Sequence, residues 1–211
     1  MTRLEIFAKC NNVEICGYNG YITDLGKKEG IDAIVNAANN ALCLGWSTKR
    51  LSEFALGWSV GGVANSIRKN AGRKVMEECR DIIKKRGYWL APGEAVYTSG
   101  GNLNVDYIIH AASTTFLGSN EEIIRNCVKN SISLSYELGV GGLAFPLLGG
   151  GAGRMKAKDI SNYMYEEFEN CLRPTGSLKR IVIALPSKEK YDESEAPNRS
   201  RAAGLLKVTQ L

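Results

Sequence analysis

Apolar and polar positions alternate near residues 3–9 and again near 12–18, a two-residue period that predicts a pair of neighbouring strands. In DAIVNAAN (32–39) an apolar run begins as a buried strand and turns polar at Asn36. The period then changes. GGVANSIRKNAG (61–72) and RKVMEECRDIIKKRG (73–87) read as helices, and in the second Val75, Met76, Cys79, Ile82 and Ile83 share one face at helical spacing. EAVYT (94–98) and VDYIIHAA (105–112) are short strands. Residues 120–138 form an amphipathic helix with Ile124, Cys127, Val128, Ile132 and Leu138 inward. GLAFPLL (142–148) reads as a buried strand, 157–171 as a helix and RIVIALP (180–186) as a last strand. Strands alternating with helices predict an α/β domain on a largely parallel sheet.

Composition narrows the class. The 211 residues and 44% hydrophobic content fit one globular domain with a real core. No apolar run reaches the roughly 20 residues that span a bilayer. MTRLEIFAKCNNVEIC lacks the apolar core and cleavage site of a signal peptide, so no membrane contact and a cytoplasmic location are expected. The six cysteines form no C-x-x-C pair and His110 is the single histidine, so neither a metal nor another cofactor is expected. Cys79 and Cys127 lie on apolar stripes and read as small buried hydrophobes. The net charge of +5 allows phosphate contact without requiring nucleic acid. Its densest cluster, Lys84-Lys85-Arg86, ends a helix, where cations suit the dipole.

Candidate chemistry centres on AFPLLGGGAGRM (144–155), where Gly149, Gly150, Gly151 and Gly153 follow a strand-like run. Ligands of open α/β sheets bind beyond the carboxyl ends of strands. Backbone amides without Cβ atoms can surround an anion there, and the start of the next helix adds a favourable dipole. The alternative is a tightly packed or flexible turn. The spacing is neither a P-loop nor a dinucleotide fingerprint. NAANNAL also follows a strand, however, and VGGVANSI opens another helix on glycines. Two anion-competent loops on one sheet edge point to a ligand with two phosphates.

In order along the chain, GYIT (20–23), DAIVNAAN (32–39), GGVANSI (61–67), PGEAVYTSGGNL with VDYIIHAAS, and LAFPLLGGGAG resemble the macro domain, an ADP-ribose-binding module. The resemblance covers about residues 12–185. It implies a three-layer α/β/α sandwich around a mixed, largely parallel central sheet: one domain over 1–186 with an insertion at about 40–60, followed by a polar tail, 187–211. It also implies that Leu148, Gly149, Gly150, Gly151, Ala152 and Gly153, with Gly61, Gly62 and Val63, hold the diphosphate. Asn36, Ala37 and Ala38 would form the cleft floor, Asn39 would reach the distal ribose, and Tyr21 and Ile22 would lie beside the base. Asn36 and Asn39 have an alternative as loop caps that bond backbone. His110, among apolar neighbours, reads as a satisfied core histidine rather than a base.

The chain departs from the family pattern at five places, the last of them the 40–60 insertion. The adenine-reading aspartate is replaced by Tyr21, which lacks a carboxylate's acceptors but can stack on a base. The aromatic after the last strand falls at Pro186, with Tyr191 as a substitute if the tail folds back. An aspartate common in enzymes that remove ADP-ribose from proteins is replaced by Ala64, beside Asn65. In the second loop an aromatic is replaced by Gly153, next to Arg154, which either meets a phosphate or is a solvated loop charge. The 40–60 insertion carries LGWS twice, and Trp46 and Trp58 form either a lid or a satellite core.

Two activities are compatible with these residues. One is binding of ADP-ribose, free or attached to a protein. The other adds hydrolysis at the distal ribose, of the ADP-ribose-1″-phosphate phosphatase or O-acyl-ADP-ribose deacylase type, with Asn39 positioning a water. The alternative class is a non-catalytic module for another phosphorylated nucleotide or nucleic acid, for which no nucleic-acid motif speaks.

Overall fold

The computed structural model describes residues 4–42, 62–151 and 153–186. The expected roles of Gly61 and Ala152, the Trp46–Trp58 insertion and the tail from residue 187, with Tyr191, lie outside the described residues.

The two alternating segments form β1 (Glu5–Cys10) and β2 (Val13–Asn19), an antiparallel hairpin. Asn11 and Asn12 turn it with positive φ angles of 47° and 67°. Asparagine tolerates that conformation, and a turn of this hand matches strand twist. DAIVNAAN supplies β3 (Ala33–Asn39), which stays a strand after its sequence turns polar. The two expected helices are α1 (Gly62–Asn70) and α2 (Arg73–Arg86). Then come β4 (Ala95–Ser99), β5 (Tyr107–Thr114) and α3 (Glu121–Glu137), whose N-cap Asn120 accepts from the Ile123 amide. The chain closes with β6 (Gly142–Phe145), α4 (Ala157–Cys171) and β7 (Arg180–Leu185). The expected strand over 142–148 is thus shorter. Pro146 has no N–H to continue the ladder, and Leu147 and Leu148 are buried in a turn instead.

Seven strands pair in the order β1-β2-β7-β6-β3-β5-β4. The five central strands run parallel, and β1 and β4 add antiparallel edges. Alternate residues divide cleanly between two cores. Val35, Ile109, Leu143, Phe145, Ile181 and Ile183 pack under α3 and α4. Ile34, Ile108, Ala144, Val182 and Ala184 face α1 and α2. The result is the three-layer α/β/α sandwich.

At the amino-terminal edge of the strands, Asp32 ties β3 to β6. One carboxylate oxygen accepts from the amides of Gly141 (2.8 Å) and Gly142 (3.0 Å), the other from Lys27 (2.8 Å). Partial burial would raise the Asp32 pKa, but the Lys27 ammonium and the two amides outweigh it and hold the carboxyl below its ordinary value. Replacing Asp32 with alanine strands these donors and should cost about 2 kcal/mol. A urea titration should show a lower midpoint at unchanged slope.

Candidate functional site

Beyond Ile34, β3 loses its neighbour. The β3–β6 ladder pairs only Ala33 with Leu143 and Ile34 with Ala144, because β6 ends at Phe145. Asn36 to Asn39 continue alone on that side, still paired with β5 on the other. After β3 the chain crosses to α1 and α2 on one face; after β6 it crosses to α4 on the opposite face. Adjacent parallel strands that leave to opposite faces define a topological switch point, where open α/β sheets place their ligands.

The glycine loop borders this crevice. Gly149 is buried with a φ of 79°, and a Cβ there would come within 2.9 Å of Ile124 Cδ1. A Cβ on Gly153 would stand 2.4 Å from the Gly149 carbonyl oxygen. These two glycines are therefore required by the loop's own packing. Gly150 and Gly151 are more open, intermediate and exposed respectively. Within the loop the Gly150, Arg154 and Met155 amides donate to Leu147, Gly151 and Gly149. Among the described residues the amides of Gly149, Gly151 and Gly153 have no protein acceptor. Arg154 is exposed with a left-handed φ of 59°. The Leu148 side chain is fully buried under α3 and α4, so only its backbone is available to the crevice.

The second glycine element opens α1. The first amides of a helix have no intrahelical acceptor. A Cβ on Gly62 would meet nothing within 4 Å, so the backbone here is open. Val63 is half-buried against the α1–α2 core. Opposite α1 lies a 3-10 turn, Ile22–Asp24, joined to the helix by a 2.8 Å bond between Thr23 Oγ1 and Ser66 Oγ. Tyr21 precedes the turn and is 58% exposed, whereas the Ile22 side chain is buried. A groove of about 340 Å³ runs between the turn and α1, reaching from Tyr21 and Asp24 to Gly62 and Lys69.

The floor residues divide. Ala37 and Asn39 are half-buried and Ala38 is buried. Asn39 lies past a register shift in the β3–β5 ladder. Asn36 is fully buried, and its side chain points beneath the floor. Its Nδ2 sits 3.1 Å from His110 Nδ1, and His110 Nε2 sits 2.9 Å from Thr98 Oγ1. With the amide so oriented, Asn36 donates to Nδ1 and Nε2–H donates to Thr98, whose hydroxyl donates to the Ser99 carbonyl at 3.1 Å. Cys79 of α2 adds a contact at 3.7 Å. Asn36 Oδ1 is buried with no partner among the described residues. The Asn36 side chain therefore braces His110 and leaves only its backbone to the crevice. Its side-chain partner was not legible in the sequence, since it requires the register that sets Asn36 beside His110. The bond between Thr23 and Ser66 was likewise not legible, since it requires the turn and α1 to meet.

Burial pushes the His110 pKa down to about 3. A group that stays neutral over the physiological range cannot relay a proton there, and it faces the core rather than the crevice. Cys127 is likewise buried, its thiol pushed up to about 12. Among the described residues no group of three His, Cys, Asp or Glu side chains could hold a metal ion, and no helix is long and apolar enough to cross a membrane.

A three-layer sandwich whose central parallel strands open into a switch-point crevice defines the class: an open-sheet α/β protein. The macro domain family model matches residues 35–164. The chain is 35% identical over 164 residues to the macro domain-containing protein in gbd 3'region of Cupriavidus necator, covering 76% of this chain and 86% of that one. It superposes on a mutant macrodomain of Oceanobacillus iheyensis solved with ADPR at a TM-score of 0.72, 20% identity and 98% coverage of each chain. The Trypanosoma brucei macrodomain in complex with ADP-ribose gives a TM-score of 0.71 at 24% identity, covering 91% of this chain and 73% of that one. The chain belongs to the macro domain family.

The buried histidine makes a pH prediction with a definite sign. Folded, His110 stays neutral down to about pH 3; unfolded, it takes a proton near its ordinary 6.5. The unfolded state therefore binds the extra proton, and stability falls as pH drops below 6.5. At pH 5 the loss should be about 2 kcal/mol relative to pH 7. Because the chain has one histidine, urea unfolding of a folded His110→Asn variant should show this slope flattened.

Proposed function

We propose that the chain binds ADP-ribose, free or attached to a protein, with its diphosphate between the start of α1 and the glycine loop. The observation that carries this reading is the crevice where β3 outruns β6, flanked by two sets of backbone amides. Family membership and the neighbours solved with ADPR and ADP-ribose support it. The amides of Gly149, Gly151 and Gly153 on one side, and of Gly62 and Val63 on the other, supply donors without side-chain charge. Asn39, at the carboxyl end of β3, takes the distal ribose. In this reading Arg154, exposed in the loop, adds a charge to the phosphates.

Gly62→Glu is the cleanest test of the diphosphate position. The new side chain has room, and a carboxylate in the first turn of a helix is electrostatically favourable to the fold. The same charge opposes a bound diphosphate. Calorimetry should show ADP-ribose affinity down by about 10- to 100-fold, with the melting temperature unchanged or raised. Undiminished affinity in the folded variant rejects the assignment. ADP, ribose 5-phosphate and a single-stranded oligonucleotide in the same series separate a diphosphate site from a nucleic-acid surface.

A second reading adds chemistry at the distal ribose, favoured by the register shift that sets Asn39 at an irregular strand end, a common device beside active sites. Here Asn39 orients the ribose and a water for hydrolysis of ADP-ribose-1″-phosphate or an O-acyl ester. His110 takes no part, being buried and neutral. Asn39→Ala should abolish turnover of those two substrates, while a folded His110→Asn variant retains most of it. Intact ADP-ribose binding with no turnover by the unaltered protein would make it a binding module.

A further inference from the structure

Between α2 and β4 the chain turns with two large aromatic side chains in solvent. Tyr88 is 64% and Trp89 53% exposed, whereas the next residue, Leu90, is buried in the α1–α2 core. The turn is held at both ends. Gly87 closes α2 with a φ of 75°, its amide donating to the Ile83 carbonyl at 3.0 Å. The Leu90 amide donates to the Asn40 carbonyl at 2.9 Å, and Asn40 Nδ2 donates to the Leu90 carbonyl at 2.6 Å. Glu94 accepts from the Ala91 amide at 2.9 Å and pairs with Arg86, whose guanidinium lies 4.9 Å from the centroid of the Tyr88 ring. The two rings are therefore displayed on a braced turn.

Charge gathers at the same place. Lys84 and Lys85 are exposed on the last turn of α2 and have neither an ion pair nor a hydrogen bond among the described residues. The Arg86 charge is offset by Glu94, so these two ammonium groups set the local field. The helix dipole accounts for cations at this end. It does not account for two adjacent rings open to water beside them. Exposed rings grouped with unpaired cations match a polymer that alternates flat bases with phosphates. An acidic peptide would satisfy the lysines and leave the rings without a partner. We infer that this turn, with Lys84 and Lys85, is a binding surface for single-stranded nucleic acid. Bases stack on the Trp89 ring and on the Tyr88 face turned away from Arg86, and phosphates lie against the two lysines. The Leu90–Asn40 bonds place the surface one residue past Asn39, adjacent to the crevice but separate from it. It does not depend on ADP-ribose binding.

The test is fluorescence anisotropy with a labelled single strand of about 12 nucleotides, within the span one such site covers. Its duplex and a polyglutamate peptide are compared, over a series of salt concentrations. The proteins are the unaltered chain, Trp89→Ala, and the double variant Lys84→Gln with Lys85→Gln. All three side chains are exposed, so the variants should melt with the parent. The parent should bind the strand more tightly than the duplex or polyglutamate. Trp89→Ala should weaken the strand about ten-fold, the worth of one stacked base. The lysine variant should lower the slope of log affinity against log salt by about 1.4, the share of two phosphate contacts. ADP-ribose affinity, read by calorimetry, should be unchanged in both variants. No strand binding by the parent at low salt overturns the inference, as does an affinity indifferent to Trp89. Polyglutamate bound as tightly as the strand overturns it in favour of a plain charge surface. A strand displaced by ADP-ribose and untouched by either variant lies in the crevice, which also overturns it. Loss of ADP-ribose binding alone removes the diphosphate reading and leaves this surface standing.

Discussion

Pro146 cannot donate to a strand ladder, and β6 ends one residue before it while β3 runs on to Asn39. That mismatch opens the sheet. Had β6 continued through Leu148, the edge of Asn36 to Asn39 would be covered by a paired strand. The glycine loop would then begin farther from the crevice. Instead Leu147 and Leu148 turn into the α3–α4 core and anchor the start of the loop, and Gly149 packs its backbone against Ile124. The same proline therefore ends a strand, exposes a floor and sets the origin of the loop above it.

The floor is supported from below by polar rather than apolar packing. Asn36, His110 and Thr98 form a chain of hydrogen bonds between the sheet and α2, with Cys79 against the imidazole. A buried network of this kind holds its members in one arrangement, because any slip leaves a donor or acceptor unpaired in a medium of low polarity. Asn36 also carries a cost in its unpartnered Oδ1. The consequence for chemistry is that the one histidine is committed to structure. His110 is therefore not the general base of any reaction at the crevice.

Periodicity made most of the fold legible. Two-residue alternation located the hairpin, and the 3.6-residue stripe located α2 and α3 nearly to their observed ends. It misjudged β6 because Leu147 and Leu148 are buried, and burial without a ladder looks identical in a sequence. The glycine run was legible as a place of close backbone approach, but the sequence could not divide its causes. Gly149 and Gly153 are glycines for the loop's own packing, whereas a Cβ on Gly150 would come closest to Ile160 Cδ1, at 3.3 Å. His110 was legible as a core residue from its apolar neighbours. Its bond to Asn36, 74 residues away, required the register between β3 and β5. The bond between Thr23 and Ser66, 43 residues apart, likewise required the packing of the turn against α1.

A crevice bordered chiefly by main-chain amides constrains sequence weakly, because any residues that preserve the turn geometry preserve the donors. The glycine loop departs from that rule at Gly149 and Gly153, where a Cβ would strike Ile124 or the Gly149 carbonyl oxygen, so these two positions answer to packing before they answer to any ligand. Side chains differ in kind: at position 21 the exposed tyrosine ring offers a stacking surface where a carboxylate would offer directional acceptors.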